Sequence, residues 1–141
     1  MNKLYEKIYP PENDDLDNKI FKKLKNLSET EPKLIIGKDY IFDIMLPDIL
    51  NEFNQIHIEK SPYKKLECIN NIFNYIKKLI KFNEEDKEIG ADDIGPVLNY
   101  VLIKGNPFRI HSDIEYIKIF LEDSGKNNQN LVYFESMLRG L

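Results

Sequence analysis

Ser61-Pro62 opens the stretch that most restricts how this chain can fold. Beyond it Leu66, Ile69, Ile72, Phe73, Ile76, Leu79 and Ile80 recur at three- and four-residue steps. That spacing gathers apolar side chains on one stripe of a helix for about five turns. Serine followed by proline is a strong helix start: the hydroxyl accepts an orphan backbone N–H, and proline at the first helical position has none to lose. The pattern predicts a helix over 62–82, with Lys64, Lys65, Asn70, Asn74, Lys77, Lys78 and Lys81 on its solvated side. A stripe this long needs other helices to cover it. We read it as a central scaffold whose apolar face is core rather than a partner-binding surface.

The flanking segments supply those helices. Asp14, Asp15 and Asp17 accompany Leu16, Ile20, Phe21, Leu24 and Leu27 at helical spacing. They read as first-turn acids, since a calcium loop would need a glycine and a distal glutamate. Residues 1–13, with Pro10-Pro11, read as an irregular opening segment, and Leu34-Ile35-Ile36 as a buried irregular connection. Pro47 ends one helical piece and starts another, continued by Leu50, Phe53 and Ile56, with His57 a partly buried core histidine. Asn83 to Glu88 is a charged loop. Ser112 and Glu115 form a Ser-x-x-Glu capping box opening a helix through Ile114, Ile117, Phe120 and Leu121. Asp123 to Asn130 is a polar loop, and the last helix holds Tyr133, Phe134, Met137 and Leu138. No strand pattern with hairpin turns appears. The expectation is an all-α, layered helical bundle of about six helices, forming one domain over 1–141 with its motif core at 61–138.

Several function classes are excluded. A net charge of −4, with Arg109 and Arg139 the only arginines, is wrong for a nucleic-acid partner. Cys68 is the sole cysteine, among apolar neighbours, and reads as a buried inert thiol in a reducing compartment. His111-Ser112-Asp113 has triad side chains, but consecutive residues cannot adopt triad geometry. The six glycines form no phosphate-binding or dinucleotide motif, and no His/Cys spacing supports a metal. No cofactor is expected. Without an apolar run of membrane-spanning length or a signal-peptide core, the chain reads as soluble and cytoplasmic, with no integral membrane segment.

The remaining stretch carries the function. Gly90 to Pro107 reads Gly-Ala-Asp-Asp-Ile-Gly-Pro-Val-Leu-Asn-Tyr-Val-Leu-Ile-Lys-Gly-Asn-Pro. Two adjacent acids precede an apolar helix. Asp93 fits the N-cap, which puts Pro96 at the third helical position and leaves Asp92 outside the helix, free to project. Ala-Asp-Asp-x-x-Pro-Val-Leu-x-Tyr-Val-x-x-Lys-Gly-Asn-Pro followed by His-Ser-Asp-Ile-x-Tyr-Ile resembles the signature of the vacuolar-protein-sorting-nine (Vps-nine) domain. Pro62-x-x-Lys65-Leu66-x-Cys68-Ile69 and Tyr133-x-x-Ser136-x-Leu138 resemble two further family motifs, in the right order.

The resemblance implies a guanine-nucleotide exchange factor for Rab GTPases of the early-endosomal, Rab-five class, which accelerates nucleotide release without bond chemistry. It implies catalytic roles for Asp92, the aspartate finger, and Tyr133. Pro96, Val97, Asn106 and Ser136 are then partner-binding residues, on an apolar groove for the GTPase switch regions. The implied partner is a Rab-five-class small GTPase in its nucleotide-free or GDP form, met by a monomeric domain recruited peripherally to endosomal membranes. The alternative is a non-catalytic Vps-nine-like module that binds a GTPase or another protein. The chain departs from the family pattern at Gly95 and Asn99, where large aliphatic residues are usual, and in a final helix that stops at Gly140. Gly95 is expected to cost helix propensity and about 1–2 kcal/mol of apolar contact in the groove.

Overall fold

The computed structural model describes residues 15–27, 35–107, 109–124 and 128–140. The reading of 1–13 as irregular, and that of Leu34, lie outside the described residues. Among the described residues six helices are complete enough to delimit: α1 (Asp15–Leu27), α2 (Leu46–Ile58), α3 (Pro62–Asn83), α4 (Ala91–Gly105), α5 (Ile110–Ser124) and α6 (Gln129–Arg139). Among the described residues there is no strand, and no helix is long and apolar enough to cross a membrane. The architecture is a helical bundle.

α3 is its axis. Ser61 accepts the Lys64 N–H at 3.5 Å and Pro62 begins the helix, so start and extent follow the sequence pattern. Ile69, Ile72, Ile76 and Ile80 are fully buried and touch α2, α4, α5 and α6. Burying each such side chain stabilises the fold by roughly 1.5–3 kcal/mol before chain entropy is subtracted. α4 answers with Leu98, Val101 and Leu102, α5 with Ile117 and α6 with Phe134, all at zero exposure. α1 packs across α4 and α5.

Three polar residues depart from the sequence reading. Lys65, assigned to the solvated side of α3, has no exposed surface. It lies on the same stripe as Cys68, Ile69 and Ile72, and its charge is neutralised in place. Lys65 Nζ donates to Asp113 Oδ1 and to the Ile56 carbonyl, each at 2.6 Å. Ser112 does not cap α5, because that helix begins two residues earlier at Ile110, after Arg109 in a left-handed conformation (φ 57°). Instead the Ser112 N–H donates 3.1 Å to Asp17 Oδ1, and the Ser112 hydroxyl donates to Asp17 Oδ2. Asp17, read as a first-turn acid, therefore serves the start of another helix. His57 is partly buried as expected, with Nδ1 3.9 Å from Asp113 Oδ2.

The far end of α4 is fixed by close approach. A Cβ on Gly105 would come 2.9 Å from Leu50 Cδ2 and 3.0 Å from Phe53 Cδ2, so only glycine lets α2 pack this tightly. Asn106 closes the helix in the left-handed region (φ 37°), and its side-chain amide donates 3.3 Å to the Phe21 carbonyl of α1.

Candidate functional site

α4 is presented by α3 and the loop that follows it. Its N-cap is Gly90, not Asp93. Asp93 stands at the third helical position and caps from within: its Oδ2 accepts the Gly90 N–H at 2.9 Å, and its Oδ1 receives Lys87 Nζ at 3.2 Å. The helix thus begins three residues earlier than expected. Glycine can open it because the carboxylate one turn on returns the hydrogen bond. Asp92 accordingly sits inside the first turn rather than outside the helix, and Pro96 lies in the helix interior. Proline has no N–H, so the Asp92 carbonyl lacks the donor an ordinary helix would give it.

The two acids have separate fates. The Gly90 N–H, then Lys87, hold the Asp93 carboxyl below its ordinary range. The Asp92 side chain is exposed and, among the described residues, makes no hydrogen bond or ion pair. The charges around it are already matched. Lys38 pairs with Glu84 at 3.0 Å, Tyr40 donates to Glu84, and Lys87 serves Asp93. Tyr40 and Lys38 lower the Glu84 pKa, while burial and that same carboxylate raise Tyr40. Asp92 carries the unmatched negative charge beside a hollow of about 60 Å³ lined by Ile36, Lys38, Tyr40, Asp93, Pro96 and Val97.

A larger groove of about 550 Å³ runs between α3, α4 and α6, past Phe73, Ile89, Ala91, Ile94, Tyr133 and Ser136. The Tyr133 ring meets Phe73 edge-on at 5.9 Å, and its hydroxyl donates 2.7 Å to the Ala91 carbonyl. Burial, then the negative charge of Asp92, raises the Tyr133 pKa. Ser136 is exposed, its hydroxyl donating 3.1 Å to the Val132 carbonyl.

Asp92 and Pro96 therefore line the small hollow beside the first turns of α4, while Tyr133 and Ser136 line the larger groove. Val97 is 1 % exposed and belongs to the core behind Pro96. Asn106 lies fourteen residues beyond Asp92, roughly 21 Å along the helix. Sequence reasoning missed Lys38, Tyr40 and Glu84, brought together across 44 to 46 residues with no local pattern to announce them.

The model of the vacuolar sorting protein 9 (VPS9) domain matches residues 46–139, which take in α2 through α6. The chain belongs to that family. The VPS9 match covers both walls of the groove and the turn that carries Asp92. Among curated proteins, human GTPase-activating protein and VPS9 domain-containing protein 1 is 32% identical over 127 residues, 85% of this chain and 9% of that protein. Human Rab5 GDP/GTP exchange factor is 30% identical over 132 residues, 88% of this chain and 26% of that protein. Vacuolar protein sorting-associated protein 9A of Oryza sativa subsp. japonica is 29% identical over 145 residues, 98% of this chain and 30% of that protein. The chain spans a third or less of the length of these VPS9 relatives.

Proposed function

We propose that this VPS9 domain is a guanine-nucleotide exchange factor that promotes GDP release from a Rab GTPase of the early-endosomal, Rab-five class. The observation that carries the reading is the division of labour in α4's first turn: Asp93 is committed to the cap and Lys87, while Asp92 stands exposed beside the small hollow it shares with Lys38, Tyr40 and Pro96. The similarity to a Rab5 GDP/GTP exchange factor supports the choice of partner.

The physics of exchange sets what the site must do. Picomolar nucleotide binding corresponds to about 16 kcal/mol, so release is slow unless the empty state is favoured. Only contacts made better with the empty GTPase shift that balance. In this reading the groove walls of α4 and α6 receive the switch regions, with Ser136 of the groove and Pro96 of the neighbouring hollow at the contact. Asp92 then enters the nucleotide site as the finger. Its charge repels the phosphate oxygens around Mg²⁺ and pairs with the phosphate-loop lysine once the nucleotide has left. A carboxylate already engaged within its own domain could not make that exchange of partners. The domain works at the cytoplasmic face of endosomal membranes, accelerating dissociation without making or breaking covalent bonds.

The test is release of a fluorescent GDP analogue from a panel of Rab GTPases. Acceleration confined to Rab-five-class members supports the proposal. Stable binding without acceleration replaces it with a non-catalytic GTPase-binding module.

A further inference from the structure

The space that Gly95 leaves in the groove is filled by a hydroxyl. A Cβ built on Gly95 would meet Tyr133 Oη at 2.9 Å, inside any contact a real Cβ makes. We infer that Gly95 and Tyr133 form a lock that positions Asp92: the hydroxyl docks on the backbone of α4's first turn, through the room that only glycine provides. Tyr133 then acts through Asp92, as a positioning residue. The activity arm of this inference rests on the exchange reading; its structural arm does not.

The turn needs such a tie. Gly95 and Pro96 are the two poorest helix formers and stand side by side. Pro96 also withholds the N–H that the Asp92 carbonyl would take, so the ladder is broken at the residue that bears the finger. On one side the Asp93 carboxylate secures Gly90. On the other, the Tyr133 hydroxyl donates 2.7 Å to the carbonyl of Ala91, the residue immediately before Asp92. The hydroxyl is itself well anchored. Its ring stands edge-on to Phe73 of α3 at 5.9 Å, and Met137 flanks the same space, its Cε 3.6 Å from the position of a Gly95 Cβ. The first turn of α4 is thereby referenced to the central helix through α6.

This arrangement makes an unusual prediction. The atom a Gly95 side chain would strike is the far end of a ring, so Gly95→Ala moves Tyr133 rather than unfolding α4. Alanine also improves helix propensity. Gly95→Ala should therefore change thermal stability little, the gain in helix propensity offsetting the lost hydroxyl contact, and yet loosen the turn that carries Asp92. Tyr133→Phe should loosen it equally by removing the hydroxyl. The double variant should be no worse than either alone, because both remove the same contact.

The experiment has two arms. In the free domain, the amide hydrogen-exchange protection factors of Asp93 and of residue 95, each referred to the intrinsic rate of the residue present, should fall roughly 3- to 10-fold in each single variant, as expected for one lost hydrogen bond. In the release assay, the maximal rate should fall by roughly 10-fold in each single variant and by no more in the double, at an unchanged half-saturating concentration of the domain. Unchanged amide protection in both single variants overturns the lock, as does a fully additive loss of rate. If the native chain accelerates no release at all, the exchange reading fails and the amide arm alone decides the inference.

Discussion

Lys65 Nζ stands 2.6 Å from Asp113 Oδ1, and the two side chains, 0% and 1% exposed, join α3 to α5 inside the core. Removing one partner leaves a buried charge uncompensated. Lys65→Ala should cost about 3–5 kcal/mol of unfolding free energy in a urea titration. Replacing both, as Lys65→Met with Asp113→Leu, should restore most of it. A single-variant loss under about 1 kcal/mol would show that the pair is hydrated in solution.

Asp17 makes a second long-range tie, and its removal tests the correction at α5. Its carboxylate takes both the N–H and the hydroxyl of Ser112 and lies 3.7 Å from Arg109 Nε. Asp17→Ala should lower stability by about 2–3 kcal/mol, combining a lost cap with buried donors left short of an acceptor. Glu115→Ala, which removes the other half of the expected capping box, should change stability by less than about 0.5 kcal/mol. The reverse order, by thermal unfolding, would restore Ser112 as the cap.

The Asp93–Lys87 pair gives a pH signature. Asp93 titrates below its ordinary 3.8 because the folded state favours its anion. A depressed carboxyl contributes stability that is fully present above the unfolded pKa and is lost as pH falls through the folded one. Lys87, held above its ordinary 10.5 chiefly by Asp93, contributes below that value and loses its share as pH rises through the folded pKa. The Tm difference between native protein and Asp93→Asn should therefore be flat between about pH 5 and 9 and shrink on both sides. A difference that persists undiminished at pH 2 would contradict the charge-based account.

Cys68 is 8% exposed, and its thiol is pushed up to about 12 by burial first and then by Glu52 and its acidic neighbours. The thiolate is the reactive form. Alkylation at pH 8 should then proceed no faster than global opening, and it should accelerate sharply in denaturant. Rapid alkylation of folded protein would place the sulfur at the surface.

How much of this was legible depends on the range of the interaction. The scaffold helix, its Ser61 cap and the bundle itself follow from local spacing, and Ile69, Ile72 and Ile76 are buried where periodicity puts them. Lys65 was misplaced because hydropathy assigns charge to water, whereas its neutralising partner lies 48 residues away. Asp17 and Ser112 meet across 95 residues, so a local Ser-x-x-Glu pattern took the credit for a tertiary contact. At the site, the acidic pair was visible but its register was not. A glycine N-cap leaves no side-chain signal, and the whole first turn shifts by three residues. Gly95 read as a missing contact because its partner, the hydroxyl of Tyr133, belongs to another helix.

The central claim is that Asp92, rather than its neighbour, acts on the GTPase. The most direct measurement compares fluorescent GDP release from a Rab-five-class GTPase with the native chain and with Asp92→Ala. Because the Asp92 side chain is exposed and, among the described residues, makes no hydrogen bond or ion pair, the variant should lose no more than about 1 kcal/mol of stability. Its stimulated release should fall by roughly 100-fold, as expected when a charged group acting only on the activated state is removed. Native-like acceleration by Asp92→Ala, with its helical content unchanged, would contradict the account.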